Sequence, residues 1–167
     1  MADNIAPMRY VDLQSGSDEF LAFGKYYYLK NGFLNRLTDD GIDLALDVFE
    51  RNPGQFLLFF DPCDGAYNNV APAATAFPNR GSLYWLGMVA VWDSPAGADA
   101  KIEKLRAAWK ELAPLARGFY SNVADADEPL AAYRDNYGAN LERLIALKAK
   151  YDPMNLFRLN ANVPPKA

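Results

Sequence analysis

Two pairs of polar side chains stand at alternate positions in the second half of the chain. Tyr120 and Asn122 form one pair, in "GFYSN", and Asn160 and Asn162 form the other, in "LNANVPP". In an extended segment, side chains two residues apart project on the same side, and an amide both donates and accepts hydrogen bonds. Such pairs can bind the polar edge of a planar ligand, or they can satisfy backbone groups of a loop that crosses the core. The residue types alone leave both interpretations open.

Histidine is absent from the 167 residues, and Cys63 is the single cysteine. Catalytic triads and dyads that use histidine, histidine-ligated metals and imidazole acid–base catalysis are therefore excluded. An internal disulfide and a cysteine metal cluster are excluded as well. The segment "DPCDGAYNN" (61–69) groups Cys63 with two aspartates and two asparagines, but the spacing is not that of a metal site. We expect no metal.

Composition and charge restrict the class of protein. The length predicts one domain over residues 1–167, and 51% hydrophobic with 23% charged residues is typical of a globular protein rather than a membrane protein. A net charge of -4 without a basic cluster argues against nucleic-acid binding. The start, "MADNIAPMRY", lacks the basic and apolar regions of a secretion signal, which predicts a cytoplasmic protein.

Apolar periodicity and boundary signals predict the elements that position these side chains. Helices are expected in "LTDDGIDLALDVFERNPG" (37–54), "SPAGADAKIEKLRAAWKELAP" (94–114), "DEPLAAYRDNYG" (127–138) and "ANLERLIALKAKYDP" (139–153). Strands are expected at 25–30, 55–62 and 82–93. Thr38 or Asp39 is predicted to cap the first helix, Ser94-Pro95 to start the second, and Ile42, Ala45, Leu46 and Phe49 to form the apolar stripe of the first. The order predicts an α+β fold, an antiparallel β-sheet with helices packed on one face.

Both faces of this predicted sheet are apolar. In "SLYWLGMVAVWD" (82–93), one side presents Leu83, Trp85, Val89 and Val91, and the other Tyr84, Leu86, Met88 and Trp92. A sheet of this kind is covered on both faces, and four helices of modest length are enough for one of them. Either loops and the long N-terminal segment fold over the second face, or something outside the chain covers it.

The end of the chain, "YGANLERLIALKAKYDPMNLFRLNANVPP", resembles the C-terminal berberine-bridge-enzyme-like segment of FAD-linked oxidases, the family with a vanillyl-alcohol-oxidase-type FAD domain. This signature lies within residues 133–165. Upstream, "GFYSN" resembles the Tyr-x-Asn element of the family, and "DGAYNNVAPAATAFPNRGSLYWLGMVAVWD" resembles its Gly-Gly-Ala…Thr-Ala-Phe-Pro-x-Arg stretch and following strand. The resemblance extends over at least residues 24–165.

The resemblance implies a substrate-side domain whose sheet is backed by helices on one face and lies over the flavin of a separate FAD-binding domain with the other. The residues implied in FAD contact are Tyr120, Asn122, Asn160 and Asn162. The candidates for a substrate pocket are Tyr26, Tyr28, Trp85, Met88 and Asn69. The segment at the C-terminus is then a flavin-facing strip, which we expect to be held by Leu156, Phe157 and the prolines.

Two departures from the family pattern bear on function. The chain has no glycine-rich pyrophosphate loop and no histidine for flavin attachment, and Cys63 lies outside the region of the cysteine attachment. Asp64-Gly65 replaces the usual Gly-Gly, and Asn69 stands where berberine bridge enzymes have an acidic base. An asparagine cannot take up that proton. Arg80, in "FPNR", matches a family position that we interpret as structural.

Two functions are compatible with these patterns. The first is the substrate-side, flavin-covering domain of an FAD-linked oxidoreductase, which transfers a hydride from an alcohol or amine carbon to FAD. That domain would be inactive without an FAD-binding domain or subunit, supplied by another chain or by a longer form of this one. The second is a stand-alone, non-catalytic domain that binds a small ligand or self-associates as a homodimer, because a large exposed apolar face is unusual in a monomer.

Overall fold

The computed structural model describes residues 6–124, 130–159 and 162–166. These residues form three strands, β1 (Tyr26–Leu34), β2 (Leu57–Pro62) and β3 (Tyr84–Trp92). They also form the helices α1 (Tyr10–Ser15), α2 (Asp39–Glu50), α3 (Ala98–Leu112), α4 (Leu130–Tyr137) and α5 (Leu141–Tyr151). Short 3-10 turns occur at Ala66–Asn69, Ala113–Leu115, Ser121–Val123 and Gly138–Asn140.

The three strands make one antiparallel sheet in the order β1-β3-β2. β3 is the central strand, and it pairs with β1 from Tyr26↔Trp92 to Leu34↔Tyr84. β1 extends four residues beyond the predicted range of 25–30, and Phe33 near its end exchanges two backbone hydrogen bonds with Arg117. The predicted α+β fold with an antiparallel sheet is confirmed.

Helices α2 and α3 pack on one face of the sheet and form the core with it. Leu86 and Met88 of β3 are fully buried there, together with Val48 of α2 and Leu105 and Leu112 of α3. Burial of a large aliphatic side chain contributes about 1.5–3 kcal/mol, so this face carries much of the stability. The prediction that helices pack on one face is confirmed.

The predicted N-cap is correct for α2 and wrong for α3. Thr38 caps α2 as predicted, since its side chain accepts a hydrogen bond from the backbone N–H of Gly41 at 3.2 Å. The start predicted for α3 is wrong. That helix begins at Ala98, and its N-cap is Gly97 in a left-handed conformation with φ 73°, so Ser94 and Pro95 precede the helix instead of capping it.

The apolar stripe predicted for α2 is only partly buried. Ala45 belongs to the core, whereas Ile42, Leu46 and Phe49 keep 39%, 45% and 41% of their surface exposed. These three side chains border an open groove of about 510 Å³ next to β2. The groove is lined by Leu37, Ile42, Ala45, Leu46, Phe49, Leu58 and Phe60.

The C-terminal helix is attached differently from α2 and α3. α5 has no fully buried residue, and Asn140 just before it donates from its amide to the carbonyls of Pro72 and Thr75 at 2.8 and 3.1 Å. These hydrogen bonds attach the start of the helix to the 72–76 loop, while its apolar side chains are at most half-buried.

The segment after α5 is not held by Leu156 and Phe157, as the sequence led us to expect, because these side chains are 70% and 83% exposed. Asp152 holds it instead. The Asp152 carboxylate accepts hydrogen bonds from the backbone N–H groups of Leu156 and Phe157 at 2.7 and 3.0 Å. Lys148 donates to the same carboxylate and to the carbonyl of Phe157.

Candidate functional site

A recess of about 220 Å³ opens on the sheet face opposite α2 and α3, which we call the open face. Its walls come from β1, β3 and the two loops that follow β2 and α3. They are almost entirely aromatic, and they consist of Phe33, Cys63, Tyr67, Phe77, Trp85 and Tyr120. We call this cavity the aromatic recess.

The rings of the recess contact one another edge to face. Trp85 meets Tyr120 with ring centroids 6.2 Å apart and planes at 87°, and Phe77 meets Phe33 at 5.5 Å. Phe59 of β2 packs on the other side of Trp85 at 5.3 Å. The ring of Phe59 lies across Gly87, where an added Cβ would be 2.1 Å from its tip. Because Gly87 has no side chain, the ring of Phe59 can lie over the central strand β3 on the open face.

Tyr120 and Asn122 come together as the sequence predicted, though by a different backbone. Ser121–Val123 is a 3-10 turn and not an extended segment. The Asn122 amide nevertheless donates to the Tyr120 hydroxyl at 2.7 Å, and both side chains are exposed at the edge of the recess. This pair presents a phenol and an amide side by side.

Asn31 was not among the predicted site residues, yet it connects two walls of the recess. Its side chain is 6% exposed, and its Oδ1 accepts hydrogen bonds from Trp85 Nε1 at 3.0 Å and from the Tyr120 backbone N–H at 2.6 Å. The signal in the sequence is a single amide inside the apolar strand "YYYLKNGFL". Its contacts are 54 and 89 residues away along the chain, which pattern alone does not reveal.

A second buried amide supports the same loop. Asn136 Oδ1 accepts hydrogen bonds from the Phe119 N–H at 2.8 Å and from the Asn79 amide at 3.1 Å. Both asparagines are nearly inaccessible, at 5% and 7% exposed. A buried amide without a partner costs about 1–3 kcal/mol, so these bonds fix α4 against the loop that carries Tyr120.

The second predicted amide pair is described only in part. Asn160 lies outside the described residues. Asn162 is partly buried, and its Oδ1 has no hydrogen-bond partner among the described residues. A buried acceptor of this kind is uncommon in folded proteins.

The predicted pocket residues do not share one face. Trp85 lines the aromatic recess. Tyr28 and Met88, 5% and 0% exposed, belong to the core beneath α2 and α3. Tyr26 lies near the end of the sheet and stacks on Trp92, with centroids 6.2 Å apart. Because side chains alternate between the faces of a strand, an even-numbered residue of β3 cannot reach the open face.

The position that matches the family's acidic base is exposed. Asn69 ends the 3-10 turn Ala66–Asn69. Its neighbour Asn68 makes the structural contacts of the turn, since its amide donates to the carbonyls of Cys63 and Ser82 at 2.9 and 3.0 Å. The Asn68 Oδ1 accepts from the Gly81 N–H at 2.8 Å. Asn68 thus ties the two ends of the loop together and leaves Asn69 at the surface.

Arg80 stabilises the loop between β2 and β3 by hydrogen bonds to two other residues of that loop. Its guanidinium donates to the Tyr67 carbonyl at 2.7 Å and to the Thr75 hydroxyl at 3.1 Å, and it lies 4.9 Å from the centre of the Phe77 ring. These contacts position two walls of the recess, as the structural interpretation of Arg80 predicts.

Electrostatics keep the recess neutral around pH 7. Burial raises the pKa of Tyr67 to about 12, and burial likewise raises the pKa of the Cys63 thiol above its ordinary value. Neither group is ionised at neutral pH, so Cys63 is not a thiolate nucleophile. Asp61 lies directly opposite Trp85 in the β2–β3 register, and partial burial raises the pKa of its carboxyl. Across the three strands, Asp61 is the one carboxylate on the open face.

Neither a metal site nor a membrane-spanning helix occurs in the described part of the chain. No group of three or more histidine, cysteine, aspartate or glutamate side chains is arranged to hold a metal ion there. None of the helices in residues 6–124, 130–159 and 162–166 has both the length and the apolar character needed to cross a membrane.

Known proteins resemble this chain over most of its length. Residues 119–164 match the family described as berberine and berberine like. The C-terminal part of the chain is a berberine-like domain. Berberine bridge enzyme-like C-1 of Nicotiana tabacum is 32% identical over 85% of this chain, which covers 30% of that protein. An uncharacterized FAD-linked oxidoreductase of Bacillus subtilis is 34% identical over 77% of this chain, which covers 29% of that protein. The predicted family resemblance is confirmed.

Solved structures agree with the berberine-like fold. The wild-type BBE-like 1 protein of Physcomitrella patens superposes with a TM-score of 0.74 and 32% identity, over 86% of this chain and 31% of that one. A glycopeptide hexose oxidase superposes with a TM-score of 0.72 at 24% identity, which supports the fold alone. The chain thus spans about a third of the length of the relatives it matches.

Proposed function

We propose that this chain is the substrate-side, flavin-covering domain of an FAD-linked oxidoreductase that oxidises an alcohol or amine carbon. The observation that carries the proposal is the aromatic recess on the open face, bordered by Tyr120 and Asn122 within the berberine-like residues 119–164. Relatives over most of the chain are FAD-linked or berberine bridge enzyme-like proteins. On this proposal the domain is inactive alone, because the chain spans only 30% and 29% of those relatives.

The residues of the open face fit a flavin ring system. An isoalloxazine is flat and aromatic with one edge of amide-like donors and acceptors, and the recess offers stacking surfaces beside a phenol–amide pair. Asn162 adds a buried Oδ1 without a partner among the described residues, which suits a ring N–H. On this proposal Tyr120, Asn122, Asn160 and Asn162 contact FAD. When bound, FAD supplies the acceptor for a hydride.

The chain's own residues would orient the substrate and exclude water. Trp85 and Phe77 supply flat walls, and Tyr67 and Cys63 line the recess as neutral groups. Asn69, exposed at the end of the turn that carries Tyr67, is proposed as an outer substrate contact. Tyr26 pairs with Trp92 on the helix face of the sheet and is not part of this proposal. The amides of Asn122 and Asn69 cannot accept a proton at neutral pH. Asp61 is the carboxylate that the strands place on the open face.

An FAD-binding domain or subunit is the proposed partner. Residues 151–159, which we call the C-terminal strip, present Tyr151, Met154, Leu156, Phe157 and Leu159 with 70–84% of their surfaces exposed. The turn that carries them is nevertheless held by Asp152 and Lys148. Exposed apolar side chains on a fixed backbone are typical of a protein–protein contact.

The proposal is tested by titrating the purified chain with FAD and following flavin absorbance and fluorescence. We expect saturable binding that weakens about twofold to twelvefold in Trp85→Ala, because a stacked ring pair contributes about 0.5–1.5 kcal/mol. Tyr120→Phe should weaken binding about fivefold, because one hydrogen bond contributes about 1 kcal/mol.

The matched control for Tyr120→Phe is Tyr10→Phe, since Tyr10 is 76% exposed in α1 and distant from the recess in sequence. It should leave the affinity unchanged. If the wild-type chain neither binds FAD nor becomes yellow when produced together with an FAD-binding domain of a relative, the proposed function is wrong.

Self-association is a second candidate function, favoured by the apolar groove of about 510 Å³ between α2 and β2. A homodimer that buries this groove predicts twice the monomer mass in light scattering. Leu46→Glu, at a position 45% exposed in the groove, should then restore a monomer. A wild-type monomer at all concentrations would contradict this candidate.

A further inference from the structure

Two neighbouring backbone N–H groups in front of the Tyr-x-Asn element are held by two different buried side chains. The Phe119 N–H donates to Asn136 Oδ1 at 2.8 Å, and the Tyr120 N–H donates to Asn31 Oδ1 at 2.6 Å. Both asparagines are 5–6% exposed. Because consecutive N–H groups point in different directions, the acceptors on α4 and β1 together fix the orientation of the backbone at Phe119 and Tyr120.

The Asn31 side-chain oxygen also binds the Trp85 indole. It accepts a second hydrogen bond, from Trp85 Nε1 at 3.0 Å, and a carbonyl oxygen has two lone pairs for two donors. One atom therefore fixes both the backbone at Tyr120 and the indole of Trp85, whose rings meet at 87°. Turning the Trp85 indole away, or moving the backbone at Tyr120, would leave an N–H without a partner, which costs about 1–3 kcal/mol.

Asn140 shows what an ordinary structural asparagine does in the same molecule. It is as buried as Asn31, at 7% against 6% exposed. Its amide nitrogen donates to two loop carbonyls, those of Pro72 and Thr75, and neither belongs to the recess walls. Asn31 differs because both groups bound to its oxygen belong to residues that line the recess.

We propose that Asn31 is a positioning residue that orients Trp85 and Tyr120 as two perpendicular walls, and so fits the aromatic recess to a planar ring. The nature of that ligand rests on the proposed function, whereas the positioning rests on the hydrogen bonds alone. Asn31 does not itself line the recess, and it acts through the indole of Trp85 and the backbone of Tyr120.

The first experiment needs no ligand and no substitution at Asn31. The Trp85 indole N–H resonance is assigned in a ¹H–¹⁵N spectrum by its loss in Trp85→Phe, and hydrogen exchange of this group and of the Tyr120 amide is followed in the wild-type chain. Slow exchange of both is expected, because a buried hydrogen-bonded N–H exchanges only on opening. Fast exchange of either group overturns the proposal.

The second experiment compares Asn31→Leu, Asn31→Asp and Asn140→Leu. Asn31→Leu removes the acceptor at nearly constant volume, so the Trp85 indole resonance should shift and FAD affinity should fall about tenfold, the equivalent of one well-placed interaction. Asn31→Asp keeps an acceptor oxygen and should restore most of both. Asn140→Leu should lower Tm but leave both the indole resonance and the affinity as in the wild type.

The outcomes separate this inference from the proposed function. If Asn31→Leu leaves the indole resonance and the FAD affinity unchanged, or if Asn140→Leu lowers the affinity as much, Asn31 has no positioning role. If the wild-type chain does not bind FAD at all, the proposed function fails, while the exchange and resonance measurements still decide the role of Asn31. If Asn31→Leu does not fold, the role of Asn31 is decided by the Trp85 indole resonance of Asn31→Asp and by hydrogen exchange in the wild-type chain.

Discussion

The two faces of one sheet are built from the same three strands and yet differ in chemistry. The helix face presents Leu86 and Met88, which are fully buried against α2 and α3 among aliphatic and aromatic neighbours. The open face presents aromatic rings around a cavity of about 220 Å³, with the Asn31 amide hydrogen-bonded among them. The helix face is a packed core except for the groove beside α2, and the open face carries a recess with room for a ligand.

The difference indicates where stability and binding lie in this domain. A face that is closed by side chains of the same chain has no energetic reason to admit a ligand. A face whose rings are fixed by hydrogen bonds but left uncovered is pre-organised, which reduces the entropy lost on binding. Substitutions on the helix face should therefore change stability, and substitutions on the open face should mainly change ligand affinity.

The largest expected effect compares the same substitution on the two faces. Leu105→Ala, at a fully buried position of α3, should lower the free energy of unfolding by about 2–5 kcal/mol. Leu57→Ala, on the open face of β2 and 46% exposed, should cost roughly 1 kcal/mol. Chemical denaturation measures both. Equal losses would contradict the assignment of the core to the helix face.

A smaller effect is expected from two glycines on opposite faces. A Cβ at Gly32 would lie 2.6 Å from the Ala116 Cβ and 3.2 Å from the Gly118 carbonyl, neither of which can move cheaply. Gly32→Ala should thus destabilise the fold by about 1–3 kcal/mol. At Gly87, the nearest atoms are the outer ring carbons of Phe59, a half-buried side chain that can turn away.

Gly87→Ala should therefore cost less stability than Gly32→Ala but should move the Phe59 ring and, through it, Trp85. Thermal melts and the tryptophan indole resonances measure the two effects separately. A larger loss of Tm in Gly87→Ala than in Gly32→Ala would show that the open face carries more of the packing than its exposure indicates.

The smallest effect concerns pH and the C-terminal strip. The hydrogen bond from Lys148 and those from the Leu156 and Phe157 amides lower the pKa of Asp152 in the folded state. A lowered pKa means that the turn is stabilised above the ordinary aspartate value of about 3.9 and loses this stabilisation as the pH falls through the folded value. The Leu156 and Phe157 amide resonances should therefore titrate with a midpoint below about 3.9.

Asp152→Asn should abolish that titration and shift both amide resonances at neutral pH, while the Trp85 indole resonance on the open face stays in place. A midpoint at or above the ordinary aspartate value would contradict the role given to Asp152.

Local signals in the sequence predicted the three strands and helices α2 to α5, but not α1 or the first residue of α3. The Thr38 cap and the antiparallel strands depend on short-range chemistry and on alternation, and Tyr120 and Asn122 meet because they are two residues apart. Asn31 was not found, because its role depends on contacts with residues far along the chain.

The sequence also does not reveal which face of β3 packs against the helices, or what holds the C-terminal strip in place. Periodicity separated Met88 from Trp85 but did not say which of them faces the helices, since both faces are apolar. Leu156 and Phe157 are expected to hold the segment at the C-terminus in place, since apolar side chains usually do so by burial. They are exposed because a carboxylate, Asp152, holds their backbone instead.

The outer edge of β2 has a consequence for handling the protein. Within the described residues β2 pairs only with β3, so its other edge leaves backbone groups of "FLLFF" (56–60) free, in a run of five apolar residues without a charge. Such an edge can template the growth of a sheet from chain to chain, which is how aggregation begins. Asp61 and Pro62 end the run, and a charge and a proline are the residues that block such growth. They act as gatekeepers of the strand that borders the recess.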